Sequence, residues 1–206
     1  MGRGSGKAGE MNNKGSIDEA KLLHVTNRTE WRDWLKKHYK SDKEIWLVFF
    51  KKNTGKSRIS YNDAVEEALC FGWIDSAVKR IDESRFAQRF SLRNPKTRYS
   101  QANKERLKEL IKQGKVADEV LSTLGNLEEE NFEIPPDILK AIKTNKKAWG
   151  NFQEFSQSYI RIRIAFIDGA RNRPQEFSKR LRYFIEMTEK NKLFGFGGIE
   201  KYYRQK

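Results

Sequence analysis

The 206 residues carry a formal net charge of +14, with 37% hydrophobic residues that include thirteen Phe and five Trp. That is enough apolar material for a core, which excludes full-length disorder, and no apolar run nears the roughly 20 residues that cross a bilayer. One cysteine excludes an internal disulfide, and with only two histidines no ligand cluster forms at a usual spacing, so neither metal nor cofactor is expected.

Residues 1–16 hold five Gly and almost nothing to bury, so a disordered tail is expected there. Trp31, Trp34, Leu35 and His38 recur at helical spacing behind Asn27 or Thr29 as N-cap, which predicts an amphipathic helix with His38 on its face. EIWLVFFKK is short, aromatic and apolar at nearly every position, the pattern of a central strand buried on both faces. After the loop NTGKSRI, Ser60 caps a helix with Ala64, Val65, Ala68 and Leu69 inward, ended by Gly72. WIDSAVKRI and RFAQRFSLR follow as strands, and the short polar turn between them predicts an antiparallel hairpin. On the second strand Phe86, Gln88, Phe90 and Leu92 share one face, and Ala87, Arg89, Ser91 and Arg93 the other. NPKTRY reads as a loop and Ser100 as a cap. Leu107, Leu110 and Ile111 then mark the buried face of a basic helix ending at Gly114, with a short helix around Val120 to Leu124 beyond it.

GNLEEENFEIPP, acidic and bounded by Gly125 and Pro135-Pro136, marks a boundary. Past it the periodicity is helical: Ile138, Leu139 and Ile142, then Trp149, Phe152 and Phe155 capped by Asn145, then Phe177, Leu181, Phe184 and Ile185 behind Pro174. SYIRIRIAF alternates like a strand, but a lone strand among helices has no partner, so helix is expected there too. The expected fold is α+β. A small, mainly antiparallel sheet with packed helices covers 17–126, an acidic linker 127–134, a C-terminal helical subdomain 135–192 and a tail 193–206.

TGKS at 54–57 follows a strand, but Phe50 stands where a phosphate loop needs its first Gly, so no nucleotide cradle is expected. The adjacent carboxylates Glu66-Glu67 and Asp82-Glu83 are expected to diverge rather than converge on a substrate. Cys70, inside the apolar ALCFGW, is expected to be a buried structural thiol. FGFGG near the C-terminus lacks the spacing of a dinucleotide fingerprint. With no charged-then-apolar leader, the expected location is cytoplasmic, without membrane insertion.

Charge is unevenly spread: twelve bases against four acids over 79–115, seven acids and no base over 118–137, and sixteen bases against six acids over 138–206. The block from Trp73 to Arg106 interleaves Lys79, Arg80, Arg85, Arg89, Arg93, Arg98 and Arg106 with aromatics and with Asp75, Gln88 and Asn103. Arginine pairs phosphate or carboxylate bidentately and aromatics stack on bases, which suits an anionic ligand, nucleic acid among the candidates. A sheet whose aromatics point inward and whose bases are merely solvated accounts for the same pattern.

The sequence resembles the YdeI/OmpD-associated, or bacteriocin-protection, family. The resemblance lies in EIWLVFFKK, AVEEALCFGWIDSAVKRIDESRFAQRFS, YSQANKERLKELIKQG and, nearer the C-terminus, PPDILKAIKTNKKAWGNFQEFSQSYIRIRIAFIDGARNR, covering residues 28 to about 190. The family usually has Thr-Pro-Arg where this chain has Ser91-Leu92-Arg93, and Trp-Ser where it has Tyr99-Ser100; its Thr-Arg pair is missing around Glu176-Phe177. The resemblance implies protection from antimicrobial peptides without a fixed mechanism. A +14 protein repels cationic peptides, so an indirect role in stress or bacteriocin protection is expected. The leading expectation is a non-enzymatic module whose Trp73 to Arg106 block engages an anionic ligand. The alternative is a small-molecule enzyme with Asp75 at its centre and Arg80, Arg85 and Asn103 positioning an anionic substrate.

Overall fold

The computed structural model describes residues 17–125, 127 and 132–195, and among them the chain forms eight α-helices and one four-stranded sheet. The first strand, β1 (Leu22–Leu23), is too short to announce itself in the sequence and pairs parallel with β2 (Glu44–Phe50). Between them runs α1 (Arg28–His38), whose N-cap Asn27 accepts a hydrogen bond from the Glu30 backbone N–H at 3.0 Å. The helix α2 (Tyr61–Cys70) is capped by Ser60 and stopped at Gly72, where φ is +72°. There β3 (Trp73–Arg80) begins, and it returns as β4 (Arg85–Leu92).

The strand order β1-β2-β4-β3 makes β2 central, and every pairing but the first is antiparallel, so the fold is α+β with a mostly antiparallel sheet. The hairpin lacks an Asn-Gly turn because Asp82 does that job: its Oδ1 accepts from the backbone N–H groups of Ser84 and Arg85, each at 2.8 Å. Ile45, Leu47, Phe49, Phe90 and Trp73 point into a core built against α1, α2 and α3 (Gln101–Lys112). Trp46 and Val48 are buried on the opposite face, as a strand covered on both sides requires. Ile111, expected inside, is 37% exposed. The stripe that α3 buries runs through Asn103, Arg106, Leu107 and Leu110, and Ile111 lies round the helix from it.

After the short α4 (Asp118–Leu121), the helices α5 (Pro136–Thr144), α6 (Lys146–Glu154), α7 (Gln157–Asp168) and α8 (Pro174–Glu189) build a second apolar cluster. SYIRIRIAF is helical as expected. Its strand-like alternation arises because α7 packs against both α3 and α8, burying Ile160, Ile164 and Ile167 along one side and Tyr159 and Ile162 beside them. Glu105 of α3, 5% exposed, joins the two halves by accepting from Arg161 Nε and Nη2 at 2.6 and 2.9 Å and from Ser158 Oγ at 3.0 Å. No helix among the described residues is long and apolar enough to cross a membrane. The expected tail over 1–16, residues 128–131 of the acidic linker and residues 196–198 of the FGFGG segment lie outside the described residues.

Candidate functional site

Because side chains alternate along β3 and β4, the basic block divides between the two faces of the sheet instead of forming one patch. On the face away from the helices, Lys79 lies over the Trp46 ring at 5.2 Å and Arg89 donates to Glu44 from Nε at 2.8 Å. At the hairpin turn Arg80 pairs with Glu83 and Arg85 with Asp82, the latter at 2.6 Å. Trp73 is fully buried and donates to the Tyr39 carbonyl at 3.2 Å, a structural role. Arg98 is exposed in the loop after β4.

Four of the expected residues form two bonded pairs, Asp75 with Gln88 and Asn103 with Arg106, each also held by a residue at the start of α2, Tyr61 or Asn62. Asp75 accepts from the Tyr61 hydroxyl at 2.8 Å and from Gln88 Nε2 at 3.4 Å. Gln88 also satisfies the Ser76 carbonyl, at 3.1 Å, where the β3 register shifts. Nearby, Arg106 is 4% exposed and donates to the side-chain oxygens of Asn103 and Asn62 at 2.9 and 3.0 Å, tying α3 to α2. Burial, then the adjacent Asp75 carboxylate, pushes the Tyr61 hydroxyl above its ordinary value, so it stays protonated and donates. Arg80 and Arg85 sit five residues along the strands from Asp75 and its partner Phe90, about 16 Å away at strand rise. The constellation of Asp75, Arg80, Arg85 and Asn103 is therefore not assembled, and the polar cluster acts as a clamp between helices and sheet.

A cleft of about 420 Å³ opens where four elements end. Helix α1 closes on Tyr39, α2 closes on Phe71 and Gly72, and the chain leaving β4 passes through Leu92 and Arg93 to Pro95 and Tyr99. The Arg93 N–H donates to the Gly72 carbonyl at 3.0 Å, and the Ala117 N–H to the Cys70 carbonyl at 2.9 Å. These two bonds hold the β4 exit and α4 against the end of α2, so that Glu119, Val120 and Thr123 form the far wall. The Arg93 guanidinium carbon lies 3.8 Å from the Tyr99 ring centroid, and one of its nitrogens donates to the Thr97 carbonyl. Among the described residues no carboxylate pairs with Arg93. Lys40 at the rim is paired with Glu119. Apolar walls with one convergent cation are the usual make-up of a small-molecule site. No group of three metal-ligating side chains occurs among the described residues.

Residues 131–191 match the family model described as Bacteriocin-protection, YdeI or OmpD-Associated. The chain carries a YdeI/OmpD-associated domain. That domain spans α5 to α8, whereas residues 23–123 match a separate model, a domain of unknown function (DUF8412). EIWLVFFKK, ALCFGWIDS and ANKER, which carried much of the resemblance seen in the sequence, thus lie in the second match, as does the whole cleft. Neither a curated protein nor a solved structure matches the chain.

Sequence reasoning missed Tyr39, Phe71, Val120 and Glu119 as cleft residues, since nothing in their spacing shows that four element ends converge. It also missed the convergence of Glu66 and Glu67 on Arg28, for which a signal existed: two carboxylates inside the apolar run AVEEALC need a cation. Cys70 is fully buried as expected, and burial, reinforced by Glu67, pushes its thiol up to about 11. Thiol reagents are expected to label the native protein at least about a hundredfold more slowly than the urea-unfolded chain. Labelling at comparable rates would show an accessible thiolate.

Proposed function

We propose that the chain is a non-enzymatic binding module for a small anionic ligand, held in the cleft beside Arg93 and Tyr99. What supports this is a contrast among the arginines of the basic block: Arg80, Arg85 and Arg89 each meet a carboxylate, whereas Arg93 meets none among the described residues and lines a concave apolar space. The protection named in the family's description would then be indirect, acting through the bound ligand, because a +14 chain repels cationic peptides. We propose also that the two apolar clusters mark two units, 17–126 and 135–192, clamped by Glu105 and Arg161.

The test is a thermal-shift comparison of wild type with Arg93→Ala across small carboxylates, phosphates and nucleotides. A ligand at about one hundredfold its Kd stabilises by about 2.7 kcal/mol, a shift of several degrees. The expected result is stabilisation by at least one anion class that disappears in Arg93→Ala. Equal shifts in both proteins, or none from any anion, would overturn the reading.

Association with duplex DNA is expected to be diffuse, since most of the block's arginines are paired internally. Removing Arg89, Arg93 and Arg98 together should weaken DNA binding about as much as removing Lys179, Arg182 and Lys190. A much larger loss from the first set, measured by anisotropy at low salt, would restore a nucleic-acid site to the block.

A further inference from the structure

The ligand class follows from the charges and surfaces that face the cleft, and the inference rests on the anion-site reading above. The Lys40 ammonium at the rim is paired with Glu119, whose other oxygen accepts from the Tyr39 hydroxyl at 3.0 Å, so that pair brings no net charge. The helices α1 and α2 both end at the cleft, on Tyr39 and Phe71. Helix C-termini carry partial negative charge of about half a unit, which opposes any anion there and a dianion about twice as strongly as a monoanion. Arg93 alone then supplies positive charge.

The geometry of that guanidinium narrows the choice further. Its Nε is buried without a partner, its Nη2 donates to the Thr97 carbonyl, and its Nη1 is neither bonded nor buried among the described residues. The guanidinium also covers one face of the Tyr99 ring, so a nucleobase cannot stack on that face. Phe71, Leu92, Pro95 and Val120 offer apolar surface in place of hydrogen-bonding groups that would read a base or a sugar.

We propose that the cleft binds a monocarboxylic acid with an aromatic or branched acyl body. The carboxylate meets Arg93 at Nη1, and the body lies against Phe71, Leu92 and Val120. A single negative charge matches the single uncompensated cation, and an apolar body matches the walls.

Isothermal titration with three probes of one shape tests this: 2-naphthoate, its neutral isostere 2-naphthamide, and the dianion 2-naphthyl phosphate. Naphthoate is expected to bind at one site at least about tenfold more tightly than the amide, the ratio for losing a charge-assisted hydrogen bond, and more tightly than the phosphate. Arg93→Ala should weaken naphthoate far more than the amide, so that the two then bind alike. Leu92→Ser, at a side chain 58% exposed and therefore tolerant of change, should weaken naphthoate and amide alike. Phosphate binding tighter than naphthoate and lost in Arg93→Ala would overturn the monocarboxylate class and leave the anion site standing. Naphthoate binding that is insensitive to both substitutions would overturn the two together, and absence of naphthoate binding would overturn the class.

Discussion

Glu67→Ala is expected to lower the unfolding free energy by about 3 kcal/mol, the lower end of the cost of breaking a buried ion pair. Glu66 and Glu67 are each 1% exposed and lie in the stretch of α2 that is buried from Ala64 to Cys70. Adjacent helical positions point about 100° apart, which is why divergence was expected. The Arg28 side chain lies between them and gathers both: its Nε donates to Glu67, and its Nη1 donates to Glu66 and to Asp63, each at 3.0 Å. Arg32 brings a second cation to Glu67 at 2.6 Å and reaches the Lys115 carbonyl at 2.8 Å. Burial by itself would lower the Arg28 guanidinium, but Glu67 and then Glu66 hold it above its ordinary value. The upper end of the range is not reached because the Arg28 and Arg32 side chains keep 29% and 27% exposure and can regain water. Urea unfolding of Glu67→Ala, Arg32→Ala and the double variant should give a coupling energy of about 1–2 kcal/mol. A Glu67→Ala loss under about 1 kcal/mol, the value of an exposed pair, would mean that the network does not hold α1 on α2.

Local chemistry was legible where one residue decides an element. Asn27, Ser60, Ser100 and Asn145 each cap the helix they were expected to cap, and Gly72 and Gly114 end helices at positive φ. The central strand was legible because Ile45 to Phe49 leave no polar face. What escaped depends on tertiary proximity. β1 is two residues whose only claim to be a strand is pairing with Trp46 and Leu47. The cleft escaped for the same reason, since its walls come from residues 39 to 123, which no spacing rule relates. The basic block reads as one unit along the chain, whereas in space Arg80, Arg85 and Arg89 each pair with a carboxylate, Glu83, Asp82 and Glu44, and alternation divides the block between the two faces of the sheet. Of its arginines, Arg106 is a strut between α2 and α3, and Arg93 lines the cleft with no carboxylate partner among the described residues.

Glu105→Gln is expected to cost about 2–3 kcal/mol at neutral pH and progressively less in acid. Burial pushes the Glu105 carboxyl up, but bonds from Arg161, Gln101 and Ser158 outweigh that and hold it below its ordinary value. A carboxylate depressed in the folded state contributes stability that is present above its unfolded pKa and lost as pH falls through the lower folded one. The difference between wild type and Glu105→Gln should therefore be full near pH 7 and begin to shrink as pH falls below about 4, the ordinary carboxylate range, because the unfolded chain takes up its proton there. Glutamine retains the shape and one acceptor, so the loss reports the charge on Arg161 rather than a cavity. The same substitution probes the proposed pair of units, since Glu105 belongs to α3 and Arg161 to α7, whose apolar clusters are distinct. With the clamp weakened, urea transitions followed by Trp fluorescence and by far-ultraviolet circular dichroism should separate, which a single cooperative unit does not allow. A cost that stays constant from pH 7 to 3 would show that the carboxylate's charge is not what binds α3 to α7. Coincident transitions in the variant would show that the two clusters unfold as one unit.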